Sequence, residues 1–212
     1  MNINPSNQTK LYGHEDHINN LIKLHNENHF PNKILFSGEK GIGKSTLSYH
    51  LINSILSYDE EGAYDFKNFE INLENKSFKL TQNKSNPNFI LIDVNDERRN
   101  IDIGQIRNLI LTLNKSSFNS KPRFVLIDNI ELLNINSINA LLKTLEEPND
   151  NINFILINNN KKVLPTLKSR CLNFKISLTY EQSIDITNKI LNENVNNFLN
   201  KEFITSYSTP GQ

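Results

Sequence analysis

Gly38-Glu-Lys-Gly-Ile-Gly43-Lys44-Ser45 fits the pattern G-x-x-x-x-G-K-[ST] at every fixed position. An apolar run, Lys33-Ile-Leu-Phe-Ser37, precedes it, and a segment of helical character, Thr46 to Tyr58, follows. That strand-to-helix setting is the one the pattern requires. Its glycines, Gly38, Gly41 and Gly43, let the backbone wrap closely round an anion. Backbone N–H groups and the helix N-terminus then point at phosphate. Lys44 is placed to reach β- and γ-phosphates, and the Ser45 hydroxyl to ligate Mg²⁺.

Three more runs resemble the first: Phe89-Ile-Leu-Ile-Asp93, Arg123-Phe-Val-Leu-Ile-Asp128 and Asn153-Phe-Ile-Leu-Ile-Asn158. They are continuous rather than alternating, so both faces should be buried, as in a parallel sheet covered by helices. A weaker fifth run is Leu172-Asn-Phe-Lys-Ile176. Helical segments lie between. Asp102 to Asn114 puts Ile103, Ile106, Leu109, Ile110 and Leu113 on one face, with Asp102 as its cap. Asn136 to Glu146 does the same with Ile138, Leu141, Leu142 and Leu145, and Pro148 stops it. The alternation predicts a three-layer α/β domain over residues 1–177, a parallel sheet with helices on both faces.

Residues 59–88 break this rhythm and read as an insertion, with Phe69 to Leu73 and Ser77 to Leu80 as a candidate hairpin. From Leu178 the strands stop. Glu181 to Asn192 and Val195 to Ile204 read as two helices of a small appendage over 178–212.

Asp128 ends its apolar run, and Glu131 follows three residues later. Beside an intact phosphate loop, Asp128 is placed to hold the Mg²⁺ shell and Glu131 to polarise an attacking water. An acid that merely starts a helix is an equally good reading of Glu131.

Composition narrows the rest. Lys and Arg total 23, as do Asp and Glu, which excludes a globally basic or acidic chain. A single Cys excludes a disulfide framework and a multi-cysteine zinc site. About one residue in six is Asn, spread along the whole chain, which reads as codon bias and not as a prion-like tract. No apolar stretch approaches membrane-spanning length. Met1-Asn2-Ile3-Asn4-Pro5 is no signal peptide, so the expected location is cytoplasmic. The histidines His14, His17, His25 and His50 are joined by no Cys or carboxylate constellation, and no metal is expected on them.

Two longer motifs are more specific. Asn139-Ala-Leu-Leu-Lys-Thr-Leu-Glu-Glu-Pro148 and Pro165-Thr-Leu-Lys-Ser-Arg-Cys171 closely resemble the "ALLKTLEEP" helix and the "SRC" triplet of the clamp-loader branch of the AAA+ ATPases. Leu11-Tyr-Gly-His14 is similar to that family's adenine-pocket box. Within the branch, Asn86-Pro87-Asn88 and Ser208-Thr-Pro-Gly211 resemble the "HPD" and "SPG" segments of the delta-prime group of bacterial DNA polymerase III.

The resemblance implies a P-loop NTPase fold of the AAA+ type with a partial helical lid. It implies ATP and Mg²⁺ as cofactors, with Gly13, His14 and Thr46 joining the phosphate loop in the nucleotide site. It makes Asn158 a sensor of phosphate state and Arg170 a finger supplied in trans to a neighbour's ATP. The implied partners are the gamma/tau and delta subunits, the sliding clamp and primer-template DNA, and no membrane. The implied role is loading of the clamp during replication.

There are departures from the family. Relatives often carry a four-cysteine zinc module in the insertion, whereas residues 59–88 have no Cys, so no zinc is expected. The end at Gln212 falls inside the expected lid, so the expectation is a truncated chain with its collar domain absent. An arginine usual in the gamma group would fall near Gly211 and is missing, so weak ATP turnover in isolation is expected. The alternatives are a gamma/tau-like ATPase, a structural stator with no turnover of its own, and a metabolic P-loop kinase.

Overall fold

The computed structural model describes residues 4–94, 100–116, 119–146, 151–193 and 209–211. Five parallel strands form one sheet: β1 (Lys33–Ser37), β2 (Phe89–Ile92), β3 (Arg123–Ile127), β4 (Ile152–Asn158) and β5 (Leu172–Lys175), in the order β2-β3-β4-β1-β5. Seven α-helices accompany them among the described residues: α1 (Glu15–Asn26), α2 (Lys44–Leu56), α3 (Lys76–Gln82), α4 (Ile103–Leu113), α5 (Ile135–Glu146), α6 (Pro165–Lys168) and α7 (Tyr180–Leu191). None is long and apolar enough to cross a membrane.

The continuous apolar runs are explained by the layers. Ile34, Phe36, Phe124, Leu126, Ile155 and Ile157 point into one core with α1 and α2. Leu35, Val125, Ile127, Phe154 and Leu156, the alternate positions, point into a second core with α4 and α5. A strand that must fill a core on each face has no polar position to spare. β5, at the edge, is mostly exposed, which accounts for its weak pattern in the sequence.

Asp102 caps α4 through a reciprocal capping box with Gln105, as its sequence predicts. α5 begins at Ile135, and Pro148, expected to stop it, lies outside the described residues, as does the predicted helix from Val195 to Ile204. α7 covers most of the predicted Glu181 to Asn192 helix.

The insertion differs from its expected hairpin. Ser77 to Leu80 lies within helix α3, because the Asn75 side chain accepts from the Phe78 N–H at 2.9 Å and starts a helix there. Phe78 is thereby turned into the first core. Phe69 to Leu73 makes only isolated bridges, Glu70 pairing with Lys10 and Asp65.

One carboxylate organises this region. Glu60 accepts from Asn75 Nδ2 (3.0 Å), Ser77 N (2.9 Å), Ser77 Oγ (2.7 Å) and Lys121 Nζ (2.9 Å). Residues 59–88 contain neither Cys nor His, so the nitrogen and sulfur donors that a structural zinc needs are not there.

Candidate nucleotide site

The phosphate loop joins β1 to α2 at the C-terminal edge of the sheet. α2 starts at Lys44, two residues before the predicted Thr46, because Gly43 is its N-cap in a left-handed conformation (φ 90°) that glycine adopts without strain. Gly38 is required by close approach: a Cβ there would stand 2.2 Å from the Ile176 carbonyl oxygen just past β5. The Gly38 N–H donates to the Asn158 carbonyl at 3.3 Å, so the loop is tied to the tip of β4 as well.

Lys44 is almost fully buried, and its ammonium donates to the carbonyls of Gly38 (3.0 Å) and Glu39. Burial pulls its pKa down to about 8, against the attraction of Asp128, Glu131 and Glu39. The Ser45 hydroxyl donates to Asp128 Oδ2. Burial pushes the Asp128 carboxyl above its ordinary value, the Ser45 hydrogen bond opposes this, and Asp93 adds repulsion. A hydroxyl in contact with a carboxylate is the oxygen pair that Mg²⁺ takes when phosphates and waters complete its shell. Among the described residues no group of three or more His, Cys, Asp or Glu side chains stands ready to hold a metal alone. The residues therefore fit a metal that arrives with a phosphate ligand.

Glu131 lies on a single 3₁₀ turn, Ile130–Leu132, just beyond β3. Its two oxygens accept from Asn159, Oε2 from the backbone N–H at 3.3 Å and Oε1 from the side-chain amide at 3.1 Å. Asn158 ends β4 opposite Ser37 and is buried. Its amide nitrogen donates to the Lys161 carbonyl at 2.9 Å, while its Oδ1 is a buried acceptor with no partner among the described residues.

Beside the loop is a cleft of about 580 Å³, its open mouth included. His14, Gly41, Gly43 and Thr46 line one side, and Leu178, Ile186 and Ile190 the other. Gly13 lies directly beneath Ile186 and Leu178. The His14 Nε2 is 2.5 Å from the Ile42 carbonyl. A carbonyl can only accept, so Nε2 carries the proton. Burial holds the ring below its ordinary pKa, and it is neutral near pH 7. The turn at Thr209–Gly211 closes over the loop: Thr209 Oγ1 donates to the Lys40 carbonyl at 2.7 Å and Gly211 N to the Gly41 carbonyl at 2.9 Å.

Arg170 is elsewhere. It precedes β5, whose Leu172 pairs with Ile34 near the start of β1, whereas the phosphate loop leaves from Ser37 at the other end. Three residue steps of strand, roughly 10 Å, separate the two levels. The guanidinium is engaged within the chain, donating to the Thr166 carbonyl (2.8 Å) and to Glu146 at the end of α5. Beside it, burial pushes the Cys171 thiol up to about 11, so it stays protonated near pH 7.

The predicted residues thus divide in two. Gly38, Gly41, Gly43, Lys44, Ser45, Thr46, Asp128, Glu131, Asn158, Gly13 and His14 gather at one edge of the sheet, and Arg170 stands at the other. The sequence reading missed Asn159, Asn129 and Asp93, which connect the strand ends around Glu131. Two of them are Asn, and in an Asn-rich chain that residue type carries no signal.

Residues 13–179 match the family model described as DNA polymerase III, delta subunit. Among curated relatives, the gamma subunit of DNA polymerase III from Buchnera aphidicola (subsp. Schizaphis graminum) is 33% identical over 173 residues, 77% of this chain and 43% of the relative. The delta' subunit from Pseudomonas aeruginosa is 30% identical over 139 residues, 65% of this chain and 40% of the relative. The chain therefore spans less than half the length of these two relatives. Two solved structures from Thermotoga maritima share the fold. A DNA polymerase III gamma subunit-related protein has a TM-score of 0.53 and 22% identity, over 80% of this chain and 49% of that one. The RuvB Holliday junction branch migration motor has a TM-score of 0.51 and 14% identity, over 89% and 56%.

Proposed function

The chain belongs to the DNA polymerase III delta subunit family, and from that premise we propose that it is a clamp-loader subunit that binds Mg-ATP and offers Arg170 to a neighbouring subunit's nucleotide. The observation that carries the nucleotide reading is the convergence of Lys44, Ser45 and Asp128 at one loop. Lys44 supplies the cation for the β/γ-phosphates, and Ser45 with Asp128 supplies oxygens for Mg²⁺. When bound, Mg-ATP supplies the phosphoanhydride and the charge on which the site acts. His14 is held neutral at the wall of the cleft, where Thr46 and the α7 isoleucines supply an enclosed surface for the nucleoside. Glu131 is held for water, and Asn158 brings a buried amide to the tip of β4.

The expected partners are the gamma/tau and delta subunits, the sliding clamp and primer-template DNA, in the cytoplasm. A stator with little turnover of its own is favoured over a gamma/tau-like ATPase by one contact. The turn seated on the phosphate loop presents Thr209, Pro210 and Gly211, and none of these is a cation. A titration of labelled ATP with Mg²⁺ against the wild type and Lys44→Ala tests the reading. Saturable binding that weakens at least tenfold in the variant supports it, and equal affinity of the two proteins refutes it.

A further inference from the structure

The end of α5 and the start of α6 both face the arginine that precedes β5. Arg170 Nη1 donates to the Thr166 carbonyl at 2.8 Å, and its Nη2 donates to Glu146 Oε1. Both partners stand on fixed backbone. Glu146 is the last residue of α5, and the carbonyl before it, that of Leu145, accepts from Lys33 Nζ at 3.0 Å. Lys33 opens β1, so this bond ties the end of the helix to the sheet. Thr166 lies in α6, which Leu167 anchors in the second core. The Arg170 N–H donates to the Leu167 carbonyl at 3.2 Å, so its own backbone is held as well. The freedom left at this flank lies in the Arg170 side chain.

A guanidinium carries five N–H donors. Two are engaged within the chain, and the other three have no partner among the described residues. The Arg170 and Glu146 side chains are 31% and 50% exposed, so an anion can reach the pair from outside without any element moving. Exposed ion pairs are weak. A phosphate carries more charge and can take the guanidinium through two parallel hydrogen bonds, so it wins the exchange once it is within reach. Until then the carboxylate keeps the arginine folded against its own flank.

We propose that Glu146 is a positioning residue that restrains Arg170. It holds the guanidinium on its own chain and gives it up only to a phosphate presented by a closely docked neighbour. A loosely docked neighbour must first break the pair, so turnover at the neighbour's site comes to depend on full docking. This rests on the reading of Arg170 as an arginine supplied in trans.

The test uses the full chain assembled with its loader partners. The phosphate-loop lysine is replaced by Ala in every site except the neighbour's site that Arg170 serves, Lys44 of this chain included. Labelled ATP hydrolysis is followed without clamp and DNA, then with both, in Glu146→Ala, Glu146→Gln, Arg170→Ala and the double variant. Glu146→Ala is expected to raise the unstimulated rate about two- to fivefold, the range that an exposed pair is worth. Glu146→Gln, which keeps a neutral acceptor, should fall between it and wild type. The stimulated rate should stay within about twofold and the thermal midpoint near wild type. In the Arg170→Ala background, Glu146→Ala should change nothing, because neighbours that act through one contact are not additive.

An unstimulated rate that falls in Glu146→Ala would mean that the carboxylate presents the finger and does not restrain it, and the proposal fails. It fails too if the rate is unchanged, or if the same rise persists in the Arg170→Ala background. If Arg170→Ala is without effect on stimulated turnover, the trans reading itself falls and takes this one with it.

Discussion

Arg170 and Lys44 stand at opposite ends of the sheet, one just before the start of β5 and the other just past the end of β1. Roughly 10 Å of strand lies between their levels, and Arg170 sits two residues further back still. Arg170 pairs instead with Glu146 on its own flank. On the proposed reading a γ-phosphate at its own Lys44 is out of its reach, and the phosphate it serves is a neighbour's. Glu146 holds the guanidinium within the chain, so on that reading the neighbour's phosphate competes with a carboxylate for it.

Arg170→Ala is therefore expected to leave the ATP affinity of the isolated chain within about twofold. In the assembled loader it should depress clamp- and DNA-stimulated turnover, since a trans arginine contributes roughly 10³–10⁵ in rate at one site. The loss in the whole assembly will be smaller if other sites still fire. Brisk hydrolysis by the monomer that disappears in the variant would place the finger in cis and contradict the geometry.

Lys44→Ala should weaken Mg-ATP binding at least tenfold, about 1.4 kcal/mol. The wild-type interaction should also depend on pH. The lysine is charged below its pKa of about 8 and loses its proton as pH rises through that value. Affinity should accordingly be full near pH 7 and decline above about 8, which calorimetric titrations across that range would show. A flat profile up to pH 10 would mean that Lys44 keeps its proton throughout that range or that phosphate does not contact it.

Glu60 is expected to do for the insertion what a metal does in other small modules. Burial works to raise its pKa, but the hydrogen bonds from Lys121 and Ser77 outweigh this and lower it. The stability that it contributes is present above the ordinary carboxylate value and is lost as pH falls through it. Glu60→Ala leaves Lys121 and Asn75 short of a partner and should cost about 2–3 kcal/mol, or roughly 4–12 °C in thermal midpoint. A strong zinc chelator should leave the wild-type midpoint unmoved. A stoichiometric zinc content, or melting brought on by chelation, would show that the module depends on metal after all.

His50 supplies an acid limb of its own. It is fully buried, donates from Nε2 to the Gln8 carbonyl (3.1 Å) and accepts at Nδ1 from the Tyr64 hydroxyl (2.9 Å). Burial drives its pKa from 6.5 down to about 4, with the Gln8 contact opposing. The unfolded chain takes up a proton near pH 6.5 that the folded chain refuses until about pH 4. Stability is thus full above 6.5 and falls as pH drops through that window, by about 3 kcal/mol in all. Urea melts at pH 7 and pH 4.5 should show most of this loss. His50→Phe should flatten the difference at the expense of stability at pH 7, and an unchanged difference would assign the limb to other groups.

Wherever a local stretch of chain carries its own physics, the sequence by itself determined the result. The phosphate loop needs glycine for its turn and Lys44 for its charge. Asp102 needs only Gln105 three residues on to cap α4. The buried strands need apolar residues on both faces, and they are written that way. Only the tertiary structure decided what met across the sheet. Asn159 finds Glu131 28 residues away, and Arg170 finds Glu146 24 residues away. Lys121 finds Glu60 at a separation of 61. No period or spacing encodes such pairs, because they follow from strand order and from which ends of the strands lie together. The helix at Lys76–Gln82 is the intermediate case: a polar segment with no clear period was free to be helix or hairpin, and the Asn75 cap together with the burial of Phe78 settled it.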